Sequence, residues 1–233
     1  MTYLFNKEAH IHTLDGTPLH GVTTVLQVIS KPALIQWAAN MAVDYIAATE
    51  FRTKDTAEEL WERLQGIFKE ARTAHRKKKE KAGDWGSELH EAIENWIKTK
   101  AEPSFEGTQK VAFENFKNWC QEHNVVFLES EKHVWSESMW VGGICDLVFT
   151  MDGKKYIGDI KTSSRIYNEH FFQMAAYDLC LTDMGEHQDV AGYIVINLKK
   201  DGEIDLMRAD NMKLNREAFL AALTLHKIIN SLK

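Results

Sequence analysis

Two acids and a lysine occur in an arrangement that can act on a phosphate ester. Asp146 ends the stretch Gly142-Gly143-Ile144-Cys145-Asp146, and Asp159 and Lys161 lie in Gly158-Asp159-Ile160-Lys161-Thr162. Carboxylates are hard oxygen ligands that suit Mg²⁺ or Mn²⁺ rather than a soft metal. A divalent ion held by them can polarise a phosphoryl oxygen, orient a water and stabilise charge on the leaving oxygen, with room for a second ion in the same cluster. A lysine beside that ion has its pKa lowered by the neighbouring positive charge and can orient or deprotonate the water. Asp-x-Lys alone is common on solvated strands, so the weight rests on where the two acids fall.

The residues between them, Leu147 to Ile157, form two apolar-rich runs split at Asp152-Gly153, the strongest short-range signal for a β-hairpin. A two-residue turn there sets Met151 against Lys154 and, counting back, Asp146 opposite Asp159. Facing Cβ atoms in such a pair lie roughly 4.5–5.5 Å apart, where like charges destabilise a sheet unless a cation joins them. Strand alternation then puts Lys161 on the same face as Asp159.

Other elements must carry the remaining groups. The helix beginning at Ser87, capped by it after the interruption Gly83-Asp84-Trp85-Gly86, places His90 and Glu94 on one face at i, i+4. Helices over about 108–123 and 168–183 present buried faces, and Gln173 and Tyr177 share a side of the latter. Glu131 lies mid-strand in the run starting at Val125, either exposed or turned toward the acids. An opening hairpin through Tyr3 to Leu14, a helix from Lys31-Pro32 to about Ala48, a hairpin around Asp201-Gly202 and a C-terminal helix over 215–232 complete the pattern. Thr23 and Thr24 can bind phosphate oxygens or simply cap a helix. From Thr56 to Lys81 one long or two consecutive amphipathic helices carry a basic run of Lys69, Arg72, Arg76, Lys77, Lys78, Lys79 and Lys81, either a nucleic-acid wall or a solvated face.

At 233 residues with net charge −6, the chain suits one well-buried folded domain with a helical appendage and is unsuited to indiscriminate polyanion binding. No segment approaches the roughly 18 apolar residues of a membrane span, and no leader pattern is present, so an intracellular protein is expected. Cys120, Cys145 and Cys180 are too scattered for a disulfide framework or a cysteine-ligated cluster.

Gly142-Gly143-x-x-Asp146, Asp159-x-Lys161, Gly86-x-x-x-His90 and Gln173-x-x-x-Tyr177 together resemble, in order and spacing over about residues 83–180, the RecB-type branch of the PD-(D/E)xK nuclease superfamily. Val22-Thr23-Thr24-Val25-Leu26, Lys31-Pro32 and Trp37-Ala38-Ala39 further resemble phage-encoded exonucleases of this type and, more distantly, the mitochondrial genome-maintenance exonuclease. The resemblance implies an α/β fold with a restriction-endonuclease-like core, a central mixed β-sheet flanked by helices. Residues 83–233 would form the nuclease core, and 1–82 an N-terminal hairpin and helical region forming part of a DNA channel.

It further implies that His90, Asp146, Asp159 and the main-chain carbonyl of Ile160 bind the metal, that Lys161 activates water, and that Gln173 and Tyr177 contact the DNA backbone or brace the catalytic strand. Glu94 and Glu131 would then support the ligands from behind. Thr23, Thr24, Arg76, Lys77 and Lys78 would contact DNA, with Trp37 or Trp85 available to stack on bases.

The cysteines of the iron–sulfur cluster found in related CRISPR-associated nucleases and some helicase-nucleases are missing, and so is a helicase-type phosphate loop. Unwinding would therefore need a helicase, and recombination a single-strand annealing protein, as partners. The expected function is a Mg²⁺-dependent DNA exonuclease preferring single-stranded ends and giving 5′-phosphorylated products, in phage or bacterial recombination, repair or replication within the host cytoplasm. Its rivals are a flap endonuclease of the same superfamily and a non-catalytic DNA-end-binding protein.

Overall fold

At Asp152 and Gly153 the backbone takes φ of 51° and 75°, so both turn residues lie in the left-handed region that a tight hairpin requires. Met151 consequently pairs with Lys154, as the two-residue turn predicts, and every later pair down to Leu147 with Gly158 follows in register. This computed structural model describes residues 1–29, 32–49 and 56–232, with side chains for all of these except 32–34 and 79–82. Lys31 and the side chains of Lys79 and Lys81 therefore lie outside the described residues.

The chain divides into two units, Met1–Ile29 with Leu89–Lys233, and Ser30–Glu88. In the first, β1 (Tyr3–Asn6), β2 (Ile11–Leu14) and β3 (Thr17–Pro18) form a small antiparallel sheet. Next come β4 (His20–Gly21), the short helix α1 (Val22–Val25) and a 3-10 turn at Leu26–Val28. Helix α2 (Pro32–Ala47) lies in the second unit, and α3 (Ala57–Thr99) begins there. Then follow α4 (Gly107–Glu122), β5 (Val126–Ser136), β6 (Val141–Met151), β7 (Lys154–Lys161), α5 (Asn168–Asp183), β8 (Val190–Leu198), β9 (Ile204–Ala209) and α6 (Met212–Ser231).

The large sheet is mixed and flanked by helices, as the expected α/β class requires. Strand order is β4-β6-β7-β8-β9, with β5 also on β6; the β4–β6 and β7–β8 pairs are parallel and the others antiparallel. The parallel β7–β8 pair needs a crossover, which α5 supplies.

Burial of α5 is thorough. Met174, Ala175, Ala176, Cys180 and Leu181 are fully enclosed and pack with Val148, Ile157, Tyr193 and Val195 of the sheet and Phe219 and Leu223 of α6. A separate aromatic cluster joins Trp96, Phe113, Phe116 and Trp119 of the helices to Phe127 and Phe149 of the strands at centroid distances of 5.9–6.4 Å. The three cysteines are free and buried. No helix among the described residues is long and apolar enough to cross a membrane.

One expectation fails. Gly83-Asp84-Trp85-Gly86 does not break the helical run, because α3 continues as a single helix of 43 residues through it, and Ser87 caps nothing. Each glycine costs about 1 kcal/mol relative to alanine, a bias rather than a stop. Leu89 and Ile93 just beyond are fully buried, and such packing outweighs a cost of that size.

Candidate active site

Strands β6 and β7 separate beyond Leu147 and Gly158. On that edge the far end of β6 is taken instead by β4, through Val141 and Gly142, while β7 stays paired to β8 through Asp159, Ile160 and Lys161. The last ladder pair is Leu147 with Gly158, so Asp146 and Asp159 lie one residue beyond it, outside the pairing and at the mouth of the fork. Asp146 bridges it with a side chain: the Ile160 amide donates to Asp146 Oδ2 at 3.0 Å. Lys161 Nζ donates to Asp159 Oδ1 at 2.6 Å. Asp159 is fully buried, and its Oδ2 has no hydrogen-bond partner among the described residues.

His90 reaches the fork from α3, with Nε2 at 3.2 Å from Asp146 Oδ2 and 3.7 Å from Glu131 Oε1. Glu131 comes from β5. The flanking pairs Ser130 with Leu147 and Lys132 with Cys145 place it across from Asp146, and its own φ is 51°, a left-handed conformation seldom adopted by a non-glycine residue in a strand. Of its two expected positions Glu131 takes the inner one, and one donor atom each from His90, Glu131 and Asp146 lies within 4.8 Å of the others. Glu94, expected behind His90, gives its carboxylate to Lys98 at 2.5 Å.

Crowding carboxylates out of water shifts their protonation. Burial pushes Asp159 up to about 7, with Asp146 adding to the rise and Lys161 opposing it. Burial likewise pushes Glu131 up to about 7, reinforced by Asp146 and opposed by His90. Asp146 meets the same burial but ends below the usual carboxylate range, because the His90 hydrogen bond, the charges of Lys161 and His90 and the Ile160 amide outweigh it. Burial pulls His90 and Lys161 down, yet both end raised: Asp146 and Glu131 hold the imidazolium, and Asp159 and Asp146 the ammonium. Asp146 is the carboxylate the site keeps ionised.

The oxygen and imidazole donors of His90, Glu131 and Asp146 fit a hard divalent cation better than a soft one, and Asp159 with its unpartnered Oδ2 lies outside that grouping. A second grouping of Glu129, Glu186 and His187 differs, because Lys132 already sits 3.0 Å from Glu129 and 2.8 Å from Glu186.

The other expected site residues are dispersed. Gln173 donates to the Tyr177 hydroxyl at 2.7 Å, and Tyr177 is 3% exposed. Its ring lies against β6, with Cε1 only 2.7 Å from where a Cβ on Gly143 would be, so Gly143 makes space for the tyrosine, whereas Gly142 makes space for His12 and Leu19. Thr23 and Thr24 are exposed on α1. Within the second unit, Lys77 pairs with Glu70, Lys78 Nζ lies 3.4 Å from Met41 Sδ, Arg76 is exposed, and Trp37 packs edge-on against His75.

No protein-family profile matches the chain, and neither does any curated protein. Among solved structures it is similar to SSO0001, at 14% identity and a TM-score of 0.29 over 51% of this chain and 58% of that one. It is also similar to an alkaline exonuclease (LHK-Exo) from Laribacter hongkongensis, at 9% identity and a TM-score of 0.30 over 62% of this chain and 83% of that one. The chain thus spans 58% of the length of SSO0001. At these scores neither likeness assigns a function.

Proposed function

We propose that this protein is a metal-dependent deoxyribonuclease, an exonuclease that hydrolyses phosphodiester bonds from DNA ends, prefers single-stranded ends and leaves 5′-phosphates. The observation that supports this reading is the β6–β7 fork, where His90 meets Asp146, Asp146 accepts from the Ile160 amide, and Lys161 pairs with the buried Asp159.

His90, Asp146, Asp159 and the carbonyl of Ile160 would hold Mg²⁺ or Mn²⁺. When bound, the metal would polarise the phosphoryl oxygen and stabilise the charge developing on the leaving oxygen. Asp146, kept ionised by His90, Lys161 and the Ile160 amide, anchors the ligand set. Lys161 is held protonated by Asp159, so in this state it orients the phosphate and the attacking water as a charged donor. To act as the base it must first lose its proton, which requires the pairing with Asp159 to relax. The water oxygen bonds to phosphorus and the bond to the 3′ oxygen breaks, giving a 3′-hydroxyl and a 5′-phosphate. Tyr177, with Gln173 on its hydroxyl, braces β6 from behind, as its burial against Gly143 supports. The exposed Thr23, Thr24, Arg76, Lys77 and Lys78 contact backbone phosphates, and a helicase or single-strand annealing protein supplies the ends.

The test is digestion of 5′- and 3′-labelled linear DNA, single- and double-stranded, with Mg²⁺, beside a circular single strand and the Asp159→Ala variant. Linear single strands should shorten from their ends while the circle survives and Asp159→Ala does nothing. Efficient cutting of the circle would make the enzyme an endonuclease. Intact linear DNA, bound equally well by wild type and Asp159→Ala, would leave only an end-binding protein.

A further inference from the structure

We infer that Glu131 is itself a cation ligand: with His90 and Asp146 it forms a second divalent-cation subsite, which takes His90 over from the set named above and leaves the first ion to Asp159, the Ile160 carbonyl and the shared Asp146. The inference rests on the nuclease reading of the fork and adds to it a residue from a third strand.

Three observations converge on Glu131. Its place on β5, between the pairs Ser130 with Leu147 and Lys132 with Cys145, is across from Asp146, whereas Asp159 belongs to β7 on the other side of β6, just beyond the last pair of that ladder; the two acids therefore flank Asp146 from different strands. Its donor atom is already in ligating company, 3.7 Å from His90 Nε2, which in turn is 3.2 Å from Asp146 Oδ2. Asp159, wholly buried on the other flank, carries an oxygen with no partner among the described residues. One ion ligated by Asp159 and Asp146 would satisfy that oxygen, yet it would leave Glu131 and Asp146 facing each other with only the imidazole between them.

An imidazolium at His90 is the competing way to neutralise Glu131 and Asp146, and it needs no ion. The two accounts differ in stoichiometry. In two-metal phosphodiesterase sites the ions sit roughly 3.5–4 Å apart and share a carboxylate, the role that falls here to Asp146.

The experiment is Mn²⁺ binding to the full-length protein at pH 8, with free ion counted by electron paramagnetic resonance and the bound signal examined for Mn–Mn coupling. Wild type should bind two ions with a coupled spectrum. Glu131→Gln, nearly the same shape, should bind one ion, uncoupled, and Glu131→Asp should keep the second ion at least tenfold more weakly. Thermal melting without metal establishes that each variant is folded. A wild type that binds one ion, or a Glu131→Gln that still binds two, overturns the inference and leaves the nuclease reading standing. Two ions in wild type, one in Glu131→Gln and no cleavage of labelled linear DNA by the Mn²⁺-loaded wild type would uphold the subsite and sink the nuclease reading.

Discussion

The amide of Ile160 is held by Asp146 Oδ2 at 3.0 Å, so a side chain, rather than backbone from the neighbouring strand, closes the mouth of the β6–β7 fork. Asp146→Ala would strand that buried donor, at a cost of about 1–3 kcal/mol. It would also remove a charge facing Asp159 and Glu131. The expected outcome is a melting temperature close to wild type without metal, no stabilisation by Mg²⁺, and loss of cleavage; a variant that Mg²⁺ still stabilises normally would remove Asp146 from the ligand set.

Without metal the protein should become less stable between pH 5 and pH 8. Asp159 and Glu131 both titrate near 7 when folded, above an unfolded carboxylate, so over this interval the folded state binds more protons and stability falls as they leave. His90, also raised, acts in the same direction. Asp146, lowered, loses its contribution only at more acid pH. Asp159 alone accounts for a difference on the order of a few kcal/mol. Melting curves in EDTA against pH should show the decline, Mg²⁺ should reverse it, and Asp159→Asn should lessen it, leaving the share of Glu131 and His90; a rise in stability from pH 5 to pH 8 in EDTA would contradict the assignment.

Lys161→Ala should still bind metal but cleave more slowly by about 10²–10⁴-fold, the usual worth of a positioned proton-transfer group. It also leaves Asp159 Oδ1 without its donor, so metal-free stability should drop. Single-turnover rates at saturating Mg²⁺ separate this from a binding defect, and full activity would exclude Lys161 from the mechanism.

Gly143→Ala puts a methyl 2.7 Å from Tyr177 Cε1, which the packed ring cannot yield without moving α5 or β6. Overpacking of this kind costs about 1–3 kcal/mol. Calorimetry should show the loss for the single variant and partial recovery in Gly143→Ala combined with Tyr177→Leu. Additive losses would mean that the two residues do not constrain each other.

Neutralising Arg76, Lys77 and Lys78 should weaken DNA binding at every sequence and lower the salt slope by about 1 for each phosphate that no longer meets a cation. Fluorescence anisotropy between low and moderate salt reads this directly. An unchanged slope would leave the run as solvated surface, of which the Lys77–Glu70 pair already gives an example.

The parts legible in the sequence are those governed by short-range rules. Asp-Gly fixed a turn and the turn fixed a register as far as Leu147 with Gly158, but the expected pairing of Asp146 with Asp159 falls one residue beyond the ladder, where the strands part and Asp146 meets the Ile160 amide instead. Helix α5 and the β8–β9 hairpin followed from spacing in the same way. Glu131 was only half visible, because its place depends on an irregularity between Phe127 and Glu129 and on its own left-handed backbone, neither of which residue types announce. The unbroken α3 was hidden for the opposite reason: two glycines suggested a stop that burial of Leu89 and Ile93 overrides. The basic run was plain as charge, but its partners Glu70 and Met41 were not.

The turn at Asp152-Gly153 carries one more implication, for how this gene can vary. Surface loops ordinarily accept added or deleted residues. Here a single-codon insertion would shift β7 by one position against β6, and since side chains alternate faces, Asp159 and Lys161 would exchange sides with Gly158 and Ile160. Length at this turn should therefore be as constrained as the identity of the acids themselves, even though neither turn residue touches the cluster.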